Sequence, residues 1–258
     1  MADRLVVLGA CGAWPEPGRA CSGFVLEYGG FRVVLDLGYG TLPRLLALLG
    51  SSAADGIDAV VVTHEHPDHA IDVHGLFRAR FFGRRGARPL PLYAPKGVLD
   101  LVSTIEGDDA ANVGHVFTWH PLPSRPYRIG PLKLESYPLP HYVPNAGVRL
   151  SGPGLTIAYT GDCGPDPSLA DLGRNADLFI MEASDRLQQP GVPPPPAGQQ
   201  LHLNSRDAGL AAREASARRL LLTHFWPGND RERSRAAAAE TFTGEVLLAE
   251  EGLVVDLP

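Results

Sequence analysis

The 258-residue sequence has few cysteines, no long apolar run and no excess of positive charge. Its three cysteines are an odd number at wide spacing, which gives no disulfide framework and suits a reducing compartment. No apolar run reaches the roughly 18 residues that a bilayer-spanning helix needs. The first residues enter a strand-like run without the pattern of a signal peptide. We therefore expect a cytoplasmic protein with no membrane partner.

The charge balance argues against sequence-independent binding of nucleic acid. The net charge is −6, whereas binding to phosphates depends on an excess of Lys and Arg. Five arginines do fall within eleven residues, and we interpret them as a solvated face, with RNA binding as the alternative: Arg78, Arg80, Arg84, Arg85 and Arg88. The composition is otherwise that of an ordinary globular protein, and the length suits one domain over residues 1–258.

The hydrophobic pattern predicts short strands in both halves of the chain, interrupted by helices. The strands Gly23–Tyr28 and Phe31–Asp36 are joined by Gly29-Gly30, a hairpin signal. Further predicted strands include His115–Trp119 and Leu178–Glu182, and residues 205–217 and 231–241 predict helices. This pattern predicts an α/β fold, a four-layer αββα sandwich of two mixed β-sheets flanked by helices. A doubly wound parallel sheet is the alternative, and the early hairpin argues against it.

One polar run follows the apolar segment Ile57–Val62 and holds four candidate metal ligands: Thr63-His64-Glu65-His66-Pro67-Asp68-His69. Imidazole and carboxylate suit zinc and its first-row neighbours. His64 and His66 share a face because they lie two residues apart in an extended segment. Pro67 is tolerated at the first position of a helix, which would then present the last two ligands from its first turn. The run therefore predicts part of a site for two metals.

Three more ligand-type residues each close a predicted strand: His141, Asp162 and His224. Strand ends can converge on one rim, so we expect these side chains to join the polar run. The segments Val60–His64 and Leu220–His224 also end alike in Thr-His, which suits a fold of two related halves but is too short to establish a repeat.

In this order and spacing the chain resembles the metallo-β-lactamase superfamily over nearly its whole length. The resemblance implies the αββα fold and two divalent metal ions, with zinc expected and manganese or iron as alternatives. It implies that one metal is held by His64, His66 and His141, and the second by Asp68, His69 and His224, with Asp162 bridging. A water between the metals would be the nucleophile, with Asp68 steering it.

Two further segments resemble the branch that contains tRNase Z and related small phosphodiesterases. They are Phe179–Ser184, which includes Glu182, and Leu201–Ser205, which includes His202. In that branch a Glu and a His outside the metal shell cooperate near the leaving group. Glu182 would orient and charge His202, which would act as a general acid. A polar pair that caps a helix is the alternative interpretation.

Only twenty residues separate His141 from Asp162, and their Pro, Asn and Gly content predicts a compact hairpin with no room for a tRNA-binding arm. This favours a small phosphodiester over tRNA. The overall pattern, including the early segment Cys21–Phe24, is similar to that of cyclic-nucleotide phosphodiesterases of the actinobacterial type. The alternatives are an armless tRNase Z-like ribonuclease, a lactonase or thioesterase acting on an acyl carbon, and a metal-dependent sensor. We expect Pro193–Pro196 to line the substrate pocket, and the resemblance favours a homodimer.

Overall fold

The computed structural model describes residues 3–83, 86–193, 195–196 and 198–258. Its strands are β1 (Arg4–Gly9), β2 (Gly23–Tyr28), β3 (Phe31–Leu37), β4 (Ala59–Val61), β5 (Leu90–Ala94), β6 (Phe117–Pro121), β7 (Tyr127–Ile129), β8 (Leu132–Leu139), β9 (Asn145–Gly152), β10 (Leu155–Tyr159), β11 (Leu178–Glu182), β12 (Arg219–Thr223), β13 (Glu245–Leu248) and β14 (Val254–Asp256). The helices lie between them: α1 (Thr41–Leu49), α2 (Pro67–Gly83), α3 (Lys96–Glu106), α4 (Val113–Val116), α5 (Ser168–Leu172), α6 (Ser205–Glu214) and α7 (Arg231–Ala239).

The strands form two seven-stranded sheets, in the orders β14-β1-β2-β3-β4-β5-β6 and β13-β12-β11-β10-β9-β8-β7. Each sheet contains three antiparallel pairs followed by three parallel pairs. The two mixed sheets therefore repeat one arrangement, which confirms the predicted sheet class. The two Thr-His runs follow β4 and β12, which do not occupy matching places in that repeat.

Apolar side chains bury both faces of the first sheet. Leu5 and Phe24 of the first sheet share one core with Ile157 and Phe179 of the second. The opposite face of the first sheet packs against α1 to α4 through a separate cluster that includes Val60. Helices α5, α6 and α7 contact the second sheet. The result is the predicted four-layer αββα sandwich.

Some predicted boundaries were wrong. His115 lies in α4 rather than in a strand, because Phe117 N–H still bonds to Val113 O and the extended backbone begins only at Phe117. The Ala-rich helix α6 stops at Glu214, before the predicted Ala217, because Ser216 adopts φ 54 in the left-handed region. The three-residue strands β7 and β14 were not predicted, since they are too short to show an alternating pattern.

The arginine cluster does not form the continuous solvated face that was predicted. Arg80 is buried and donates to Ala54 O at 3.1 Å, and Arg78 pairs with Glu106 at 3.1 Å. Arg84 and Arg85 lie outside the described residues. None of the helices in the described part of the chain has the length and apolar character needed to cross a bilayer.

Candidate functional site

The seven predicted metal ligands converge where loops from both sheets meet. Their ligand atoms form two groups, each within 4.8 Å of one another. We call them metal group one, which is His64, His66, His141 and Asp162, and metal group two, which is Asp68, His69, Asp162 and His224. Asp162 belongs to both groups. This grouping is the one that the resemblance implied.

Local backbone geometry explains how neighbouring residues in the polar run reach different groups. Pro67 begins α2, and His69 N–H bonds to His66 O at 2.9 Å, so the chain turns sharply between the two pairs of ligands. At the far strand ends Gly161 and His224 adopt φ values of 58 and 54. A positive φ is energetically costly for a residue other than glycine, and His224 adopts one at the site.

The nitrogens and oxygens of the two groups point at common centres. His141 Nε2 lies 3.0 Å from His66 Nδ1, and His224 Nε2 lies 3.1 Å from Asp162 Oδ2 and 3.2 Å from Asp68 Oδ2. His64 Nε2 and Asp162 Oδ1 are buried without a hydrogen-bond partner among the described residues. Buried polar atoms without partners are costly, and a bound cation would satisfy them. The donor set of imidazole and carboxylate therefore fits divalent metal ions.

The electrostatic setting differs between the two groups. Burial lowers the pKa of His64, His66 and His141, which favours the neutral imidazole that binds a metal. Burial also lowers the pKa of His224, but the charge of Asp162 outweighs it and raises that pKa to about 10. The pKa of His69 is raised by the charges of Asp162 and Asp68 in the same way. Positive charge, from protons or from a cation, is therefore favoured most at metal group two.

Carboxylates in both groups are held ionised. Burial raises the pKa of Asp162, yet the charges of His224 and His69 outweigh burial and leave the pKa well below the usual range. Asp68, predicted to steer the water, behaves similarly, because His69 and His224 lower its pKa. Its Oδ2 also accepts the N–H of Ala13 at 2.7 Å, which ties a loop of the first sheet to the site.

A buried carboxylate that sequence reasoning missed supports ligands of both groups. Asp36 Oδ2 lies 2.7 Å from His69 Nδ1 and accepts the hydroxyl of Thr63 at 2.9 Å. Thr63 Oγ1 in turn lies 3.0 Å from His64 Nδ1. We call these four residues the Asp36 network; Tyr159 OH also donates to Asp36 at 2.8 Å. Such outer hydrogen bonds fix the ring orientation and the basicity of a ligand histidine.

A second buried carboxylate, Glu182, plays the matching part in the second sheet. Its Oε2 lies 2.9 Å from His202 Nδ1 and accepts the Ser184 hydroxyl at 2.5 Å, and Ser184 Oγ lies 2.7 Å from His224 Nδ1. We call these four residues the Glu182 network. Glu182 Oε1 accepts the N–H of Cys163 at 2.6 Å. The structure therefore places the predicted pair Glu182 and His202 in direct contact, beside the predicted ligands.

Distances alone would also allow Glu182, His202, Asp162 and His224 to hold a cation. Both carboxylate oxygens of Glu182 already accept hydrogen bonds, from Cys163, Ser184 and His202. Three of the buried atoms without partners, His64 Nε2, His69 Nε2 and Asp162 Oδ1, belong instead to the two groups described above. On these contacts His202 belongs to neither metal group one nor metal group two, and its place outside the metal shell stays a prediction. Asn204, rather than either member of the pair, caps the following helix α6.

His202 opens onto a cavity of about 990 Å³. Burial lowers the pKa of His202, but the charge and hydrogen bond of Glu182 outweigh it and raise the pKa above its ordinary value. Pro193, Pro195 and Pro196 line the cavity, as predicted for this loop, while Pro194 lies outside the described residues. The cavity therefore gives a ligand access to a histidine that favours its protonated form.

Two signals could have identified the residues that were missed. Asp36 closes the apolar run Val33–Leu35, so it shows the same strand-end pattern as Asp162. Ser184 lies two residues after Glu182, which ends β11, so its signal is a polar residue just after a strand end. His74, His115 and His120 belong to neither metal group. His74 contacts Glu106, and His120 stacks on Tyr93.

Known proteins resemble this chain over nearly its full length. A family model described as the β-lactamase superfamily domain matches residues 31–225. A probable metallo-hydrolase, YhfI of Bacillus subtilis, is 30% identical over 254 residues, covering 97% of this chain and 98% of the relative. The crystal structure of YhfI, a metallo-β-lactamase fold protein, superposes with a TM-score of 0.83 at 26% identity, covering 99% of this chain and all of that one.

Ribonucleases of the same family are also similar. Ribonuclease Z of Kineococcus radiotolerans is 28% identical, covering 99% of this chain and 95% of the enzyme. That alignment extends over 306 positions, so the enzyme contains segments that this 258-residue chain lacks. The short form of human tRNase Z superposes with a TM-score of 0.76 at 25% identity, covering 99% of each chain. The chain therefore belongs to the metallo-β-lactamase superfamily, in its tRNase Z-like branch of metal-dependent hydrolases.

Proposed function

We propose that the chain hydrolyses small phosphodiesters of the cyclic-nucleotide type with two divalent metal ions, and that both ions are zinc. Metal groups one and two would hold the ions, with Asp162 between them. When bound, the two ions would supply a water of lowered pKa and positive charge beside the phosphoryl oxygens. Asp68 would help to position the attacking water.

The observation that supports this proposal most directly is the contact between His202 and Glu182. Nδ1 of His202 faces the carboxylate at 2.9 Å, so Nδ1 carries a proton in this arrangement. The other ring nitrogen, Nε2, makes no hydrogen bond within the described residues, and the side chain is 16% exposed. His202 can therefore deliver the Nε2 proton to a leaving oxygen, and Glu182 stabilises the charged ring.

A ribonuclease without the tRNA arm is the second candidate, because relatives of this chain include ribonuclease Z. Two observations favour a smaller substrate. The interval between His141 and Asp162 is the tight hairpin of β9 and β10, in which Gly152 pairs with Leu155. The arginines Arg78 and Arg80 are engaged within the protein and leave no free row of cations at those two positions. A thioesterase would have less use for His202, because a thiolate is a good leaving group and departs without a general acid. A lactone expels an alkoxide, so the lactonase alternative is tested by the substrate panel below.

A leaving-group comparison tests the role of His202. We expect His202→Ala to lower kcat for a cyclic nucleotide, whose ribose oxygen leaves poorly, by about 10²- to 10⁴-fold. The loss for bis(p-nitrophenyl) phosphate should be small, because nitrophenolate leaves without protonation. His120→Ala, which removes a histidine stacked on Tyr93 away from the site, is the matched control. Equal losses on both substrates would remove the acid role.

A substrate panel tests the wider proposal. Cyclic nucleotides, short RNA and a lactone should be assayed with one preparation whose metal content is measured. We expect turnover of the cyclic nucleotides to exceed that of the other two classes. Turnover of RNA that falls steeply with added salt would favour the ribonuclease instead, because several phosphate contacts make binding salt-dependent. Preferred hydrolysis of the lactone would overturn the phosphodiesterase proposal.

A further inference from the structure

We propose that Trp14 is a stacking surface for the nucleobase of the substrate, which makes a nucleotide, rather than any small phosphodiester, the preferred substrate class. This inference rests on the proposed function and extends it to a residue outside the metal shell and the acid pair. The carrying observation is an exposed tryptophan held next to a predicted metal ligand.

The backbone places Trp14 close to metal group two. The preceding residue, Ala13, donates its N–H to Asp68 Oδ2 at 2.7 Å. Adding the spacing of neighbouring Cα atoms, the Cα of Trp14 lies no more than about 8 Å from that carboxylate. Its side chain nevertheless stays 47% exposed. A substrate whose phosphate lies between the metal groups would therefore bring its neighbouring parts within reach of the indole.

Hydrogen bonds join the loop that carries Trp14 to the loop that follows β12. Gly12 N–H bonds to Phe225 O at 2.8 Å, and a Cβ added at Gly12 would lie 2.7 Å from the His224 ring. Glu16 Oε1 accepts the N–H of Gly228 at 3.0 Å, which joins the same two loops a second time. An aromatic surface that is already ordered loses little conformational entropy when a ligand stacks on it.

The neighbours of Trp14 suit a flat aromatic ligand. Trp226 meets Trp14 edge to face, with ring centroids 5.4 Å apart and planes at 76°. The Arg186 guanidinium lies 4.8 Å from the Trp226 ring centroid. Trp226 thus supports the Trp14 indole from one direction and leaves it partly open to solvent. Every nucleobase offers a flat π face to such a surface.

Two substrates that differ only in the base test the inference by kinetics. They are 3′,5′-cyclic AMP and the 3′,5′-cyclic phosphate of methyl riboside, which has no base. We expect Trp14→Ala to raise KM for cyclic AMP by roughly 5- to 150-fold, the range for loss of one base stack, with kcat little changed. KM for the base-free substrate should stay the same, and Trp14→Phe should restore most of the loss. Phe82→Ala, which removes an exposed aromatic of α2, is the control.

Binding of the product provides a readout that does not depend on turnover. Calorimetry should show that AMP binds more weakly to Trp14→Ala than to the unsubstituted protein. The affinity of Trp14→Phe for AMP should lie between the two. The affinity for ribose 5-phosphate, which has no base, should be the same in all three proteins. Equal effects of Trp14→Ala on base-containing and base-free ligands would overturn the inference. Tyr142 is the exposed aromatic residue that lines the cavity beside His202, and a base preference lost only in Tyr142→Ala would also overturn it. If AMP binding depends on Trp14 but no phosphodiester is cleaved, the proposed function fails and the stacking surface stands.

Discussion

The Asp36 network in the first sheet and the Glu182 network in the second are built alike. In each, a fully buried carboxylate at a strand end contacts one histidine directly and a second histidine through a hydroxyl. Asp36 contacts His69 and, through Thr63, His64. Glu182 contacts His202 and, through Ser184, His224.

The two networks differ in what their histidines face. Both histidines of the Asp36 network are fully buried and belong to the metal groups. In the Glu182 network only His224 is a predicted ligand, whereas His202 is 16% exposed and opens onto the cavity. The same arrangement of hydrogen bonds can therefore orient a histidine that binds metal or keep a histidine protonated. Whether the histidine opens onto the cavity decides between these two roles. Substitutions that separate metal binding from proton transfer test this distinction.

The largest effect is expected at Asp162, which is shared by both metal groups. We expect Asp162→Ala to abolish turnover of phosphodiesters and tight binding of the metal pair, because it removes a ligand from each group at once. Metal analysis after dialysis, together with the cyclic-nucleotide assay, measures both. Asp171→Ala is the control, since this carboxylate is exposed and pairs only with Arg174 among the described residues. A variant that keeps two tightly bound metals and full activity would contradict the ligand assignment.

Glu182→Gln should separate the two functions within its own network. The amide can still accept the N–H of Cys163, but it loses the charge that stabilises protonated His202. We expect kcat for a cyclic nucleotide to fall by about 10²- to 10⁴-fold, approaching the loss in His202→Ala. Activity on bis(p-nitrophenyl) phosphate should change far less. Glu135→Gln, at a surface pair with Lys133, is the control, and a comparable loss there would assign the effect to general destabilisation.

Asp36→Asn should have the opposite profile. Asparagine tolerates the left-handed backbone of this position, φ 56, so the substitution tests the charge rather than the turn. We expect metal affinity to fall by about 10- to 100-fold, as for other lost carboxylate partners of ligand histidines. Saturating metal should recover most of the activity. Chelator competition measures the affinity, with Asp58→Asn as the surface control. Unchanged affinity with a leaving-group-dependent fall in kcat would erase the distinction between the networks.

Hydrophobic periodicity and strand-end residues predicted most of the fold and the seven candidate ligands, whose division between two metals the family resemblance implied. The αββα sandwich followed from an early hairpin and short strands in both halves, and the structure confirmed it. The ligands were visible because His141, Asp162 and His224 each follow an apolar run. Asp36 shows the same signal but was missed, since its partner His69 lies 33 residues away and only the folded chain brings them together. The side-chain pattern of a sequence does not encode such pairings.

The smallest effect, and the finest test of the comparison, concerns the two hydroxyls. Ser184→Ala removes the hydroxyl that connects Glu182 to His224. We expect the metal affinity of metal group two to fall by about 2- to 10-fold, which corresponds to the free energy of a single hydrogen bond. Thr63→Val removes the corresponding link to His64 and should weaken metal group one by a similar factor. Ser168→Ala, which removes a hydroxyl that donates to Asp166 at the start of α5, is the control. Chelator competition resolves the two sites. If Ser184→Ala lowered kcat as severely as Glu182→Gln, the hydroxyl would belong to the proton path rather than to ligand orientation, and the parallel between the networks would end there.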